Sequence, residues 1–411
     1  GGNAPTNGSA TGGKEITFLE AIRQAMFEEM ERDPTVLLMG ESLKREYQKN
    51  AHLPIGLFSG VLGGQLLLNL ALITGERQEL LPVFNVSIVS ILDIWLIYRL
   101  IRVMRLTSSR SLWVVLAAVL RLWNLSYPQK FVFDETYYVK DAWALWNTGS
   151  EKAWPQAAND IFASGQVPNF LTNPSFVVHP PLGKWIIGFG MWLFGAQNSF
   201  AWRISVAIIG ILAVALVMLV AKILFKSQSW AIITGFLMAI DGHAIVLSRT
   251  ALLDNMLMFF TLLAFYFLLK DQLVRDIHSL TWRRKWLLLS GLALGLAMAV
   301  KWSGLYFAIA FGCYVVISEL LARKETGQDN WLSNSIKQGL RTFLVMAPVA
   351  TLTYLASWLG WITTSGGYDR NSQSNWFLSL IKYHQDAYAF HIGLRTPHSY
   401  ASHPLSWLWG I

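Results

Sequence analysis

Charged residues and cysteines are both scarce in this sequence. Of its 411 residues 14% are charged and 54% are hydrophobic, whereas ordinary globular domains carry roughly 25% charged residues. Such a composition excludes a disordered chain and a collagen-like fibre, and it leaves too few polar groups to cover a soluble surface. The only cysteine, Cys313, cannot form a disulfide scaffold. We therefore expect an integral membrane protein.

Long apolar runs are abundant instead, and several approach the roughly 20 residues that a membrane-spanning helix needs. They predict an all-α polytopic membrane protein. The candidate spans are residues 54–73, 80–101, 111–127, 203–225, 228–247, 251–269, 286–300, 302–320 and 341–363.

The net charge of +8 would indicate nucleic-acid binding in a soluble protein. In a polytopic protein, however, Lys and Arg collect in cytoplasmic loops and fix the orientation of the spans, so no nucleic-acid partner is expected. Basic residues gather within four segments, 99–110, 222–226, 270–285 and 323–341. All four can be cytoplasmic on one alternating path.

That path leaves residues 128–202, 248–254, 301–304 and 364–411 on the extracytoplasmic side. The unusual polar motifs lie in these segments, and charges cost much less at the edge of a bilayer than at its centre. Their gathering at one face indicates a site at the membrane–water boundary. The alternative is that a membrane protein simply places polar residues in its loops.

Three parts of the chain differ in character. Residues 1–42 contain a flexible tail rich in Gly and Ser, followed by a soluble-looking segment. That segment, 14–42, resembles the amino terminus of the β subunit of thiamine-dependent 2-oxoacid dehydrogenases, but no thiamine diphosphate site can be assembled from it. Residues 43–106 predict a two-span hairpin. Residues 107–411 carry the polar motifs.

Two adjacent carboxylates, Asp134 and Glu135, follow an apolar run and have aromatic neighbours. Burial beside aromatics and a like charge raises the pKa of a carboxyl, which suits a general base. A solvated loop or a helix cap is the alternative for such a pair. Further candidates on the same face are His179, Lys184, Arg203, Arg249, Asp254, Lys301, His391 and His398.

In these motifs, residues 107–411 resemble the amino-terminal two-thirds of a bacterial-type protein O-mannosyltransferase, one of the GT-C glycosyltransferases that use polyprenyl-phosphate sugars. The resemblance implies a GT-C-like transmembrane helix bundle. Its large first extracytoplasmic loop, the catalytic loop 128–202, would bear interfacial helices, and 364–411 would be the tail loop. Because the family's chain continues through further spans, we expect a carboxy-terminally truncated or fused chain of doubtful activity. The matching motifs are Phe133-Asp134-Glu135, His179 to Lys184, Arg203, Arg249 with Leu253-Asp254, Lys301 to Gly304, and the tail from His391 through His398 to Trp407.

The resemblance also implies an activity. Mannose would pass from polyprenyl-phosphate mannose to Ser or Thr hydroxyls of proteins, with inversion, at the extracytoplasmic face of the cell membrane and among its lipids. Asp134 would be the base, Glu135 would help orient the site, and Arg203 would contact the donor phosphate. Weaker candidates for that contact are Lys184, Arg249 and Lys301. Neither a metal nor a cofactor is implied.

Four of the eight histidines lie in residues 384–403. No cysteine or close carboxylate completes a ligand set there, so sugar or acceptor contacts at His391 and His398 are favoured over zinc. Other functions stay open. The chain could be a related lipid-linked-sugar transferase acting on a lipid or cell-wall glycan, or an inactive truncated membrane protein. A transporter or channel predicts inverted repeats, which the sequence does not display. The oligomeric state is also open.

Overall fold

The computed structural model describes residues 108–394. The predictions for residues 14–42, for the spans 54–73 and 80–101, and for His398 lie outside the described residues. Within 108–394 every regular element is a helix: α1 Ser108–Leu122, α2 Glu135–Thr148, α3 Ala158–Ala163, α4 Leu182–Phe194, α5 Ser199–Phe225, α6 Gln228–Ile240, α7 Gly242–Arg249, α8 Asp254–Val274, α9 Lys285–Val300, α10 Gly304–Glu325, α11 Trp331–Ser357, α12 Leu359–Thr363 and α13 Trp376–Gly393.

Four of these helices, α5, α8, α10 and α11, are long and apolar enough to cross a membrane. A fifth span results if α6 and α7 are counted together, since they join at a bend of 58°. Backbone hydrogen bonds cannot be left unmade in lipid, so long apolar helices are the form that such a chain takes. The protein is a multi-pass membrane protein, and the predicted all-α polytopic class is confirmed for the described residues.

The candidate span over 228–247 is not one straight helix, because that stretch bends by 58° at Asp241. Asp241 has an extended backbone, and its side chain accepts a hydrogen bond from the backbone N–H of Ala244 at 2.6 Å. The carboxylate thereby caps the first turn of α7, a geometry that ends one helix and begins another.

The predicted span 341–363 is displaced. Its helix, α11, begins ten residues earlier at Trp331, contains Pro348, and ends at Ser357, after which the chain bends into the short helix α12. The prediction of 111–127 is also too long, since α1 ends at Leu122 and Asn124 takes a left-handed backbone conformation with φ of 48°. Apolar composition located these helices, whereas local backbone turns set their ends.

Helix α5 is the central element of the amino-terminal half, and most of its side chains are buried. Helix α4 approaches it closely at Gly190, where an added Cβ would lie 2.6 Å from the carbonyl oxygen of Ala201. Small residues allow this kind of close contact between membrane helices. The core on this side includes Tyr138, Trp202 and Leu253, and it packs between α2, α4, α5 and the segment before α8.

Helix α4 is the element for which the sequence predicts an interfacial position. It is a helix over Leu182–Phe194, and Phe189, Trp192 and Leu193 expose about half of their surfaces. Aromatic side chains are enriched at membrane–water boundaries. Its place at that boundary stays a prediction.

Helices α8 to α11 pack against one another and succeed each other through short connections. One end of this group holds an ion pair between Asp254 and Lys301. The other end holds an ion-pair network that includes Asp271 and Glu319. At 1.5 Å per residue, Asp254 and Asp271 are about 26 Å apart along α8. The two ionic clusters therefore lie close to a membrane thickness apart.

Candidate active site

Asp134 lies at the beginning of α2, directly after a constrained residue. Phe133 has φ of 53°, a left-handed conformation that is unfavourable for a side chain of this size, and it is exposed. The carboxylate of Asp134 occupies the N-cap position but makes no capping hydrogen bond to the helix backbone. Its oxygens are therefore not consumed by the helix, unlike those of Asp241.

The Asp134 carboxylate has one side-chain donor. Tyr138, one turn further along α2, donates its phenolic O–H to Oδ2 of Asp134 at 3.4 Å. Partial burial raises the pKa of Asp134 above its ordinary value, while the Tyr138 hydrogen bond and the charge of Lys301 act in the opposite direction. A half-buried carboxylate with a raised pKa and open lone pairs is a stronger base than an ordinary solvated aspartate.

Lys301 and Asp254 stand beside Asp134. Nζ of Lys301, after the end of α9, lies 2.8 Å from Oδ1 of Asp254 in the first turn of α8, and both side chains are partly exposed, at 22% and 48%. Both charges act on Asp134. The ammonium retains donors beyond its contact with Asp254, because an ammonium group has three N–H bonds.

The imidazole rings of His179 and His391 lie close to each other, next to Tyr138. Their ring centroids are 5.7 Å apart, and His179 is 6.0 Å from the ring of Tyr138. Burial, reinforced by the positive charges of Lys301 and Lys184, lowers the pKa of His179 to about 3. The ring is thus neutral at physiological pH and offers one donor and one acceptor nitrogen.

Glu135, adjacent to Asp134, faces the interior and is fully buried. Arg203 on α5 donates to both of its oxygens at 2.8 Å, and the backbone N–H groups of Val132 and Ala251 donate to it at 2.9 and 2.8 Å. Buried ion pairs are tolerated when both partners are fully hydrogen-bonded in this way. The pair connects the start of α2 to α5 and to the segment before α8.

The guanidinium of Arg203 is fully occupied. Besides Glu135, it donates to the carbonyl oxygens of Leu125, Pro128 and Lys130 at 3.2, 3.0 and 3.0 Å. These contacts use all five N–H bonds that an arginine possesses. The phosphate contact expected of Arg203 from the resemblance therefore has no donor available in this conformation.

Lys184 and Arg249 are also engaged away from Asp134. Lys184 is buried, pairs with Glu151, and donates to the carbonyl oxygen of His179 at 3.2 Å. Arg249 donates to the carbonyl oxygens of Leu120 and Arg121 at the end of α1. These two cations hold local backbone in place. Among the predicted cations, Lys301 is the one with open donors beside Asp134.

A relay of aromatic residues behind His391 was not predicted. The indole of Trp302 donates to the hydroxyl of Tyr354 at 3.0 Å, and that hydroxyl lies 2.6 Å from Nε2 of His384. Nδ1 of His384 faces the carbonyl oxygen of Leu380 at 2.7 Å. Burial lowers the pKa of His384, so the ring is a neutral acceptor for Tyr354. The relay orients Trp302 next to His391, with ring centroids 5.9 Å apart.

The sequence could indicate only some of the site residues that had not been predicted. Tyr138 is four residues after Asp134, a spacing that places both on one helix face, and Trp302 directly follows Lys301. Tyr354 lies inside a predicted span and His384 in a long tail, so neither could be assigned to the relay. Within residues 108–394, no group of three His, Cys, Asp or Glu side chains could hold a metal ion.

Comparison with known proteins bears directly on this constellation. The family model described as "Dolichyl-phosphate-mannose-protein mannosyltransferase" matches residues 111–357, from the second turn of α1 to the end of α11. The chain belongs to this family. The match includes Asp134, Arg203, Asp254 and Lys301, and it leaves out His391.

Bacterial relatives are similar over most of the chain. The polyprenol-phosphate-mannose–protein mannosyltransferase of Mycolicibacterium smegmatis is 32% identical in an alignment 331 positions long that covers 71% of this chain and 60% of that protein. The enzyme of the same name from Mycobacterium tuberculosis is 29% identical in an alignment 336 positions long that covers 73% of this chain and 60% of that protein. The chain thus spans about 60% of the length of the curated relatives it matches.

Among solved structures, the apo crystal structure of the Archaeoglobus fulgidus oligosaccharyltransferase is similar to this chain. It has a TM-score of 0.44 and 19% sequence identity, and the match covers 69% of this chain and 33% of that one.

Proposed function

We propose that this chain transfers mannose from polyprenyl-phosphate mannose to Ser or Thr hydroxyls of proteins. In a single displacement, the acceptor oxygen bonds to C1 of mannose while the C1–O bond to the phosphate breaks. The hydroxyl proton passes to the base, polyprenyl phosphate leaves, and the anomeric centre inverts. Membership of the mannosyltransferase family and the names of the bacterial relatives support the donor and the acceptor class.

One observation carries the proposal: Asp134 is a half-buried carboxylate whose oxygens are neither ion-paired nor used in helix capping. Its neighbour Glu135 is saturated by Arg203 and two backbone N–H groups. A neutral hydroxyl is a poor nucleophile and gains from a base within hydrogen-bond reach. Asp134 is suited to that role. The buried hydrogen bonds of Glu135 fix the position of the first turn of α2, on which Asp134 lies.

Lys301 is proposed as the cation for the donor phosphate. The leaving phosphate gains negative charge as the glycosidic bond breaks, and a positioned cation lowers the barrier to that step. Arg203, with every donor occupied, serves as a positioning residue for Glu135. Neutral His179 and exposed His391 are suited to hydrogen bonds with sugar hydroxyls beside Trp302.

The site is proposed to face the extracytoplasmic side of the cell membrane. On the charge rule, the basic connections at the other ends of the helices are cytoplasmic. Nucleotide sugars are normally absent outside the cytoplasm, which is consistent with a donor that arrives on a lipid.

The first prediction is that Asp134→Asn abolishes most of the transfer. Removal of a general base costs about 100- to 10,000-fold in rate, and Asn keeps the size of the side chain. We expect this loss in membranes that contain the chain, measured as mannose transfer from polyprenyl-phosphate mannose to a Ser/Thr peptide.

The matched control is Asp160→Asn, an exposed carboxylate in the first turn of α3 in the same loop. It should keep wild-type transfer. Full activity in the Asp134→Asn variant, with the protein inserted normally, would refute the assignment of the base.

A further inference from the structure

A cavity lies at the end of helices α8 to α11 that is remote from Asp134. Its volume is about 550 Å³, and its walls come from the end of α8, the connection 275–284, the start of α9 and parts of α10 and α11. Asp271 lines this cavity, about 26 Å along α8 from Asp254. The cavity is therefore separate from the candidate active site.

The cavity has an excess of positive charge. Five of its lining side chains are basic: Arg275, Arg283, Arg284, Lys285 and Arg323. Two are acidic, Asp271 and Asp276. One further acid, Glu319, is shared by three of the arginines at 2.6 to 3.3 Å. After this compensation an excess of two positive charges remains.

The excess resides in two side chains. The guanidinium groups of Arg275, Arg284 and Arg323 are fixed in the buried network around Glu319. Arg283 and Lys285, by contrast, are exposed and make no ion pair within the part of the chain that the structure describes. The buried ion-pair network therefore lines the inner part of the cavity. The two exposed cations, Arg283 and Lys285, lie at its entrance and form its cationic rim.

The remaining lining residues are tryptophans and aliphatic side chains, a composition typical of the part of a membrane protein that lies at the level of the lipid headgroups. Trp282 and Trp286 line the cavity together with Val274, Leu288 and Val345. Nζ of Lys285 lies 5.3 Å from the ring of Trp286. Trp residues mark membrane–water boundaries, and basic pockets between spanning helices bind anionic headgroups. An apolar wall beside a cationic rim suits a lipid better than a free anion.

We propose that this cavity binds the phosphate headgroup of an anionic membrane phospholipid, with Arg283 and Lys285 contacting the phosphate and the acyl chains lying along Leu288 and Val345. The site is independent of the proposed transferase activity, because it shares no residue with the Asp134 constellation. It would anchor the connection 275–284 to one leaflet.

Lipid binding by the detergent-solubilised full chain can be measured by native mass spectrometry. The probes are phosphatidylglycerol, phosphatidylcholine with the same acyl chains, and millimolar inorganic phosphate as a competitor. We expect one saturable phosphatidylglycerol per chain, weaker phosphatidylcholine binding, and no displacement by phosphate. The double variant Arg283→Gln/Lys285→Gln should weaken phosphatidylglycerol binding about 10- to 30-fold, since each charge near a membrane surface contributes roughly fivefold.

The control is Lys222→Gln/Lys226→Gln, which removes two exposed charges near the end of α5 that do not line the cavity. It should change binding less than about twofold. Equal binding of the two lipids, displacement by phosphate, or an equal loss in the control would each overturn the proposal. Should the double variant fail to fold, Arg283→Glu alone, at an exposed position, decides the question in the same assay.

Discussion

At the residue scale, the adjacent carboxylates Asp134 and Glu135 differ in burial and in the number of hydrogen bonds that they accept. The first turn of α2 directs Glu135 inward, where it receives four hydrogen bonds, and leaves Asp134 at the edge with a single donor from Tyr138. A buried carboxylate is stable only when its lone pairs are satisfied. A base, in contrast, needs lone pairs to spare, and Asp134 has them.

The second prediction distinguishes two cations at this scale. Lys301→Gln should lower kcat/KM for the donor lipid by about 100- to 1,000-fold, the usual cost of removing one transition-state contact. Its stability should change by less than about 1 kcal/mol, because its ion pair with Asp254 is partly exposed. Arg203→Gln should instead destabilise the fold by about 3–5 kcal/mol, because it leaves Glu135 buried and unpaired.

Donor-dependent transfer and the thermal midpoint in detergent, measured on both variants, check this contrast. Lys301→Arg should retain part of the activity because it retains the charge. A stable Arg203→Gln protein with a selectively raised KM for the donor would assign the phosphate contact to Arg203 instead.

The third prediction concerns Asp141, which is buried below the site on α2. Burial raises the pKa of Asp141 to about 7, with Lys184 acting to lower it. A carboxyl whose pKa is higher in the folded than in the unfolded state reduces stability as pH rises from its ordinary pKa of about 4 to about 7. Asp141→Asn removes this dependence.

We therefore expect Asp141→Asn to stabilise the protein by about 4 kcal/mol at pH 8 and by about 1–2 kcal/mol at pH 5. The thermal midpoint measured across this pH range tests it, with the exposed Asp160→Asn as the matched control. A pH-independent difference from the wild type would show that Asp141 does not titrate in this range.

At the element scale, close contacts at glycines position the helices that support the site. Gly190 on α4 faces the carbonyl oxygen of Ala201 on α5, and Gly188 faces the carbonyl oxygen of Ala142 on α2. Neither carbonyl can move without moving its helix. Because α2 begins at Asp134 and α5 holds Arg203, the spacing of these three helices sets the geometry of the carboxylate pair.

The fourth prediction is that Gly190→Ala destabilises the protein by about 1–3 kcal/mol, the usual cost of overpacking. Its Cβ would lie 2.6 Å from the carbonyl oxygen of Ala201 and 2.9 Å from Oγ of Ser205. Gly312→Ala on α10 is the control, because its Cβ would meet nothing within 4 Å and Ala favours a helix.

Chemical or thermal unfolding in detergent compares the two variants. Gly312→Ala should be neutral or stabilising by up to about 1 kcal/mol. Equal stability of the two variants would mean that α4 and α5 can separate without cost.

At the scale of the whole molecule, helices α8 to α11 connect two ionic ends of different composition. One end carries Asp254, Lys301 and the histidines, and the other carries the arginine network around Glu319. Positive residues favour the cytoplasmic side of a membrane. The difference in charge between the two ends of the bundle therefore predicts the orientation of the protein in the membrane. It also predicts the side of the membrane on which the proposed transfer takes place.

The fifth prediction tests this orientation with single cysteines in a Cys313→Ala background. Ser372→Cys, in the exposed connection before α13, should react with a membrane-impermeant maleimide in intact cells. Asp329→Cys, in the exposed connection between α10 and α11, should react only after permeabilisation. The opposite pattern would put Asp134 on the cytoplasmic side and contradict the proposed sidedness.

The sequence by itself determined the class of the protein and the approximate positions of its long apolar helices within residues 108–394. These depend on the length of apolar runs and on the placement of charge, which are local properties of composition. It could not foresee the break at Asp241, because a single side-chain cap decides it. It also could not reveal the relay through Tyr354 and His384, whose members lie on different helices.

Only the tertiary structure decided which charged side chains are open to a ligand. Arg203 and Glu135 are 68 residues apart, pair with each other and have their other hydrogen-bonding groups satisfied by the backbone, whereas Lys301 pairs with Asp254 at the surface and keeps donors to spare. Whether a charged side chain can bind a ligand depends on its burial and on hydrogen-bond partners that are distant along the chain. The type of the residue alone predicts neither of these.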